Sequence, residues 1–184
     1  MPRTRLMTLV EVAVMAAIGG ILSIFPVIKL WPQGGSVSLV MVPVALVAFR
    51  RGWVAGVGCG LLVGLIDLML GPFILHPVQV LLDYPVSFAA LGLAGLFRPR
   101  GEQERSARSL GRRLASGIVL AGLVRFIIHF ISGVIWFGAF APKAFSPALY
   151  SFFYNISYIF PEVLVTLVIM LLLTVKAPRL VLKP

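Results

Sequence analysis

Apolar runs long enough to cross a bilayer follow one another along this chain, and Gly or Pro marks nearly every break between them. The pattern predicts six helical spans, at about 6–26, 37–49, 53–70, 77–97, 112–137 and 149–174. The first ends at Pro26, before a Pro/Gly-rich loop, KLWPQGGS. The second is short and ends at RRG; the third ends at GP. An arginine-rich loop follows the fourth, GAFAPKAFSP separates the fifth from the sixth, and a basic tail closes the chain. The run from Leu6 to Phe25 is long for the apolar part of a signal peptide and lacks a clear small-residue cleavage site, so it is expected to remain as a span.

Composition agrees with this pattern. Of the 184 residues, 60% are hydrophobic and 12% charged, against roughly 45–50% and about 25% in soluble domains. The fold class expected is an all-α integral membrane protein forming one transmembrane domain over 1–184. The longest polar stretch, Arg98 to Arg113, leaves no room for a second, soluble domain. A lone Cys59 excludes an internal disulfide, and no Cys/His cluster has metal-ligand spacing, so neither a metal nor a cofactor is expected.

The net charge of +10 invites a nucleic-acid reading, but its distribution argues against one. With six spans the loops alternate sides. Thirteen Lys and Arg then share one side: Arg3, Arg5, Arg50, Arg51, six arginines from Arg98 to Arg113, Lys176, Arg179 and Lys183. Only Lys29 and Lys143 fall on the other. The positive-inside rule places both termini in the cytoplasm and makes lipid, not nucleic acid, the partner of this charge.

Polar residues inside the spans carry the chemistry. An ionisable group at mid-membrane costs roughly 2.5–3.5 kcal/mol on insertion scales, so it needs a partner or a purpose. In RFIIHFISGVIW of the fifth span, His129, Ser132 and Trp136 lie within about 40° of Arg125 around the helix, and Gly133 at about 80°. In the fourth span Gln79, Asp83 and Ser87 share a face, with Tyr84 beside them. In the sixth, Tyr150, Tyr154, Ser157 and Tyr158 form a stripe flanked by Asn155.

These faces also share a depth. Asp83 sits about six residues, or roughly 9 Å, below the outer end of its span. Tyr150, Tyr154 and Asn155 lie at a similar level, and His129 and Trp136 occupy the outer half of theirs. The prediction is a pocket opening outward, with the loop bearing Trp31 placed to cover it. Aromatic faces plus an aspartate suit a planar organic cation, through cation–π contact and a carboxylate hydrogen bond. Arg125 is expected to compensate Asp83, whereas Glu11 and Glu162 are expected away from the site.

No G-x-x-x-x-G-K-[ST], H-E-x-x-H or G-x-S-x-G motif occurs, so the chain is not expected to hydrolyse ATP or to act as an enzyme. The chain reads as a binder that must borrow its energy. Ala13 and Ala17 in the first span, and Gly56, Gly60 and Gly64 in the third, form small-residue stripes that permit close helix contact. Packing within the bundle is the expectation for the glycines; for the alanines, internal packing and a partner helix are both open.

Four stretches, PQGGSVSLVMVPVALVAFRRG, DYPVSFAALGLAGLF, RFIIHFISGVIWFGAFAP and YSFFYNISYIFPE, together resemble the thiamin-specific S-components (ThiT/YuaJ-like) of energy-coupling factor (ECF) vitamin transporters, over nearly the whole chain. The resemblance implies a six-helix S-component bundle in a prokaryotic plasma membrane and an outward-facing thiamin site. It also implies a partner module of one transmembrane T-component and two ATPases, which consume the ATP. Substrate-binding positions implied by it are Trp31, Asp83, Tyr84, His129, Gly133, Trp136 or Phe137, Tyr150 and Asn155. Gln79, Arg125 and Tyr154 are expected to support them, and Ala13 and Ala17 to touch the T-component. Two departures stand out: Asp83 is one methylene shorter than the family's usual glutamate, and Trp136 and Phe137 appear in swapped order. The alternatives are an S-component for another vitamin, a stand-alone proton-coupled organic-cation transporter using Asp83 and His129 as a relay, and an intramembrane enzyme using them as acid and base.

Overall fold

The computed structural model describes residues 3–31, 34–99 and 106–181. Pro32 and Gln33 of the first loop, and Arg100, Arg105, Lys183 and the Arg3 side chain of the charge asymmetry, lie outside the described residues. The chain is helical almost throughout: α1 Arg3–Ile24, α2 Met41–Arg51, α3 Trp53–Met69, α4 Pro77–Leu81, α5 Ser87–Ala90, α6 Ala107–Trp136, α7 Pro147–Lys176 and α8 Pro178–Val181. Ser106 and Ser146 cap the starts of α6 and α7 by accepting from Ser109 N–H and Leu149 N–H.

Among the described residues, four segments are long and apolar enough to cross a membrane: Thr4–Ile24, Pro77–Phe97, Arg108–Trp136 and Pro147–Lys176. The shorter α3 is apolar as well. The second predicted span differs in kind. With 11 residues, α2 is only about 16 Å long, and nearly every residue from Met41 to Phe49 is buried. It is a central stave wrapped by its neighbours, which is why its sequence is apolar all round.

Two local features were not expected. The loop after α1 folds back on itself as a two-residue antiparallel pair, β1 Ile28–Lys29 and β2 Ser36–Val37. In addition, the fourth span is not a uniform α-helix: α4 leads into a π-helical turn at Leu82–Val86, then α5, then a 3₁₀ stretch at Leu91–Phe97. Pro85 lies inside the π turn. A proline has no N–H to continue the i→i−4 ladder, and the wider turn accommodates its ring. Asp83 and Tyr84 sit on this turn.

The glycine stripe of α3 packs inward. A Cβ on Gly60 would run into the Phe88 carbonyl, and one on Gly64 would lie 2.6 Å from the Tyr84 carbonyl and 2.8 Å from Pro85 Cα. The missing side chains let α3 lie directly against the π turn. Ala13 and Ala17, by contrast, are exposed on the outer face of α1, beside Leu9, Val10, Val14 and Ile21.

The end of the bundle bearing the chain termini is tied together by charge. Glu11 pairs with Arg50 and Arg51 at 2.5 Å each. Arg50 also donates to the carbonyls of Arg179 and Leu180, at 2.8 and 2.7 Å, and Val181 of α8 is fully buried there.

Candidate functional site

At the opposite end, α1, α3, the fourth span, α6, α7 and the β1–β2 loop enclose a cavity of about 430 Å³. That lies within the range of roughly 300–1,000 Å³ typical of small-molecule sites. Gln79, Asp83, Tyr84, Arg125, His129, Gly133, Phe137, Tyr150, Tyr154 and Asn155 all line it. Trp31 and Trp136 do not. Trp31 stacks on the outer side of Tyr154 with ring centroids 4.9 Å apart and donates from Nε1 to Ser157 Oγ at 2.9 Å. Trp136 stacks on His76 at the rim, at 5.4 Å, while its neighbour Phe137 reaches the cavity and packs on Phe73 at 5.8 Å.

The wall carrying Asp83 is organised by Gln79, which is 1% exposed. Its Nε2 donates to Asp83 Oδ2 at 2.7 Å and to Phe73 O at 3.1 Å. Its Oε1 accepts from Leu75 N–H at 2.9 Å and His76 N–H at 3.4 Å. Tyr84 holds the same loop, its hydroxyl accepting from Phe73 N–H at 2.8 Å. One glutamine therefore links the carboxylate to the α3–α4 loop above it.

On the facing wall, Asn155 of α7 donates to Ser151 O at 2.8 Å and to His129 O at 3.3 Å. The Tyr158 hydroxyl lies 2.7 Å from His129 Nδ1 and 2.8 Å from Asn155 Oδ1. Gly133 makes this approach of α6 and α7 possible, since a Cβ there would collide with Ser151 Oγ. The roof is the β1–β2 loop. Gly34 and Gly35, at φ 111° and 77°, take a conformation open to glycine, and Tyr154 pins the loop by donating to Gly34 O at 2.9 Å.

Arg125 does not compensate Asp83. Its Nη1 pairs with Glu162 Oε2 at 2.7 Å, and Glu162, 0% exposed, also accepts from Ser38 Oγ at 2.6 Å. The physical reason is packing: α6 lies along α7 for much of its length, so Arg125 meets the buried carboxylate there, and Gln79 takes up Asp83 instead. The guanidinium also lies over the Phe88 ring, 4.7 Å from its centroid. Glu162 itself stands behind the cavity, as expected, and reaches it only through Arg125, which lines the floor.

The cavity has a second carboxylate that the sequence reading passed over. Asp67, near the end of α3, lines it together with Ser23, Lys29 and Phe73. Its signal was available: an acidic residue inside an apolar span is a functional candidate by default. Among the described residues, neither Asp67 nor Asp83 has a Lys or Arg within ion-pair distance. With Arg125 occupied by Glu162, the arrangement offers two acidic acceptors and several aromatic faces to a cation.

Comparison with known proteins agrees over almost the full chain. The family model described as thiamine transporter protein (Thia_YuaJ) matches residues 9–182. A thiamine transporter ThiT of Bacillus subtilis is 40% identical over 181 residues, covering 96% of this chain and 94% of its own. One from Lacticaseibacillus paracasei is 37% identical over 150 residues, covering 76% and 73%. A solved structure of ThiT from Listeria monocytogenes superposes with a TM-score of 0.89 at 30% identity, covering 98% of this chain and 100% of that one. The chain is a membrane protein of the thiamine transporter family, a family of transporters and not of enzymes.

Proposed function

We propose that this protein is the membrane-embedded, high-affinity thiamin-capturing subunit of an ATP-driven ECF importer. The observation that carries the reading is the pair of cavity carboxylates without basic partners among the described residues, beneath a wall of aromatic rings. Thiamin is a monocation with an aminopyrimidine and a thiazolium ring, and each finds a matching surface. Asp83 and His129 take the aminopyrimidine edge, assisted by Tyr150 and Asn155. The thiazolium lies between Phe137 and Tyr84, its charge close to π faces and carboxylates. Trp31 acts from behind Tyr154 by fixing the roof rather than by stacking on the ligand.

In this reading the chain forms six spans with both termini in the cytoplasm, and the cavity faces outward. The exposed Ala13 and Ala17 of α1 meet a T-component, and two ATPase subunits supply the energy. The chain itself uses no cofactor. The test is equilibrium binding of thiamin to the detergent-purified protein, beside unrelated vitamins such as riboflavin and biotin. Saturable binding of thiamin alone is expected. Equal or better binding of another vitamin, or thiamin uptake by this chain alone under a proton gradient, would contradict the reading.

A further inference from the structure

The hydrogen bonds behind His129 fix its protonation pattern as well as its position. Asn155 sets their direction. Its Nδ2 faces two carbonyl oxygens, Ser151 O at 2.8 Å and His129 O at 3.3 Å. A flipped amide would press Oδ1 against both, so Oδ1 must face Tyr158, whose hydroxyl is 2.8 Å away. A phenol has a single proton, and here Asn155 Oδ1 receives it. Toward His129 Nδ1, 2.7 Å away, the Tyr158 oxygen therefore offers only a lone pair. Nδ1 must carry the proton of that bond. In the neutral imidazole, Nε2 is then a bare acceptor, and it has no partner among the described residues.

We propose that Tyr158, working through Asn155, is a specificity-determining positioning residue that locks His129 in the Nδ1–H tautomer. His129 lines the cavity with Nε2 as a buried acceptor, unpartnered among the described residues. Together with the Asp83 carboxylate it selects heteroaromatic ligands that bring N–H donors over counterparts bearing a carbonyl at the same place. A site built around fixed acceptors rejects an analogue that sets another acceptor against them, because buried polar groups are left unpaired. The proposal rests on the thiamin reading only for the choice of probe.

Two measurements test it. The first is ¹⁵N NMR of histidine-labelled, ligand-free protein; the chain has 2 histidines, and a His76→Asn variant assigns them. His129 is expected to show a protonated Nδ1 and an unprotonated Nε2, a pattern that Tyr158→Phe turns into a tautomer mixture. A protonated Nε2 in the wild type, in a neutral ring or an imidazolium, would overturn the proposal. The second compares binding of thiamin and oxythiamin, in which an oxo group replaces the pyrimidine amine. Wild type is expected to favour thiamin by about tenfold or more, and Tyr158→Phe to narrow that preference several-fold while remaining folded by its melting temperature. An unchanged preference in the folded variant would count against Tyr158. Should Tyr158→Phe fail to fold, the wild-type spectrum still decides. A wild type with the expected tautomer that binds no thiamin would sink the thiamin reading and leave the tautomer standing.

Discussion

Two carboxylates, one lining the cavity and one buried behind it, are treated in opposite ways. Glu162, behind the floor, is fully buried, paired with Arg125 and hydrogen-bonded to Ser38, so its charge is matched by groups from α6 and the link that follows β2. Asp83 on the wall accepts from the neutral amide of Gln79 and has no cation within ion-pair distance among the described residues. The first joins three parts of the fold and has nothing left to offer a ligand. The second is held in place but left uncompensated, which favours a cationic visitor. Within a membrane, where each charge needs a partner or a purpose, the partner list separates a structural acid from a binding one better than depth or burial does.

The sharpest way to break this comparison is at the floor. Glu162→Gln keeps the size and the acceptor for Ser38 but leaves Arg125 charged and unpaired, a loss of about 3–5 kcal/mol for a buried pair. It is expected to appear as a marked drop in melting temperature in detergent, with weaker thiamin binding in the folded fraction, because the freed Arg125 charge lines the cavity that takes the cation. A variant of wild-type stability would show that the ion pair does not hold the floor.

A smaller effect is expected where α3 backs the wall. Gly64→Ala places a methyl 2.6 Å from the Tyr84 carbonyl, and overpacking of this sort costs about 1–3 kcal/mol. Because the strain falls on the turn that carries Asp83 and Tyr84, thiamin binding should weaken along with thermal stability. Gly58→Ala, where a Cβ meets nothing within 4 Å, should change neither. The smallest effect separates the two rim aromatics. Phe137→Ala is expected to weaken thiamin binding by about 0.5–2 kcal/mol through lost cation–π contact. Trp136→Ala, whose ring stacks on His76 outside the cavity, should leave the titration within error of wild type.

Much of this architecture was legible in the sequence, and particular residues show where legibility stops. Apolar run length and Gly/Pro breaks located the helices to within a few residues, because desolvation of backbone and side chains dictates both. Helical periodicity grouped Gln79 with Asp83, and His129 with Gly133, on the faces that line the cavity. Periodicity describes one helix, however, and does not say which neighbour a face meets. Arg125 had two acids to choose between, and the packing of α6 on α7 gave it Glu162. The π turn was hidden for a different reason. Pro85 announces a disturbed ladder, but a kink, a break and a π turn answer it equally well, and the spacing does not say that the turn will lie against Gly64 of α3. Asp67 was overlooked although an acid near the end of an apolar helix was visible, and the role of Tyr158 needed the directions of hydrogen bonds that no spacing encodes.

Asp83, unlike Glu162, is a carboxylate available to the ligand. Asp83→Asn tests this most directly, with thiamin titration by tryptophan fluorescence and melting temperature measured on the same preparation. The substitution removes a charge that stabilises no neighbouring cation, so the melting temperature should equal or exceed that of wild type. Thiamin affinity should fall by about 10- to 150-fold, the equivalent of a hydrogen bond to a charged group worth roughly 1.5–3 kcal/mol. A folded Asp83→Asn protein that binds thiamin as tightly as wild type would contradict the account.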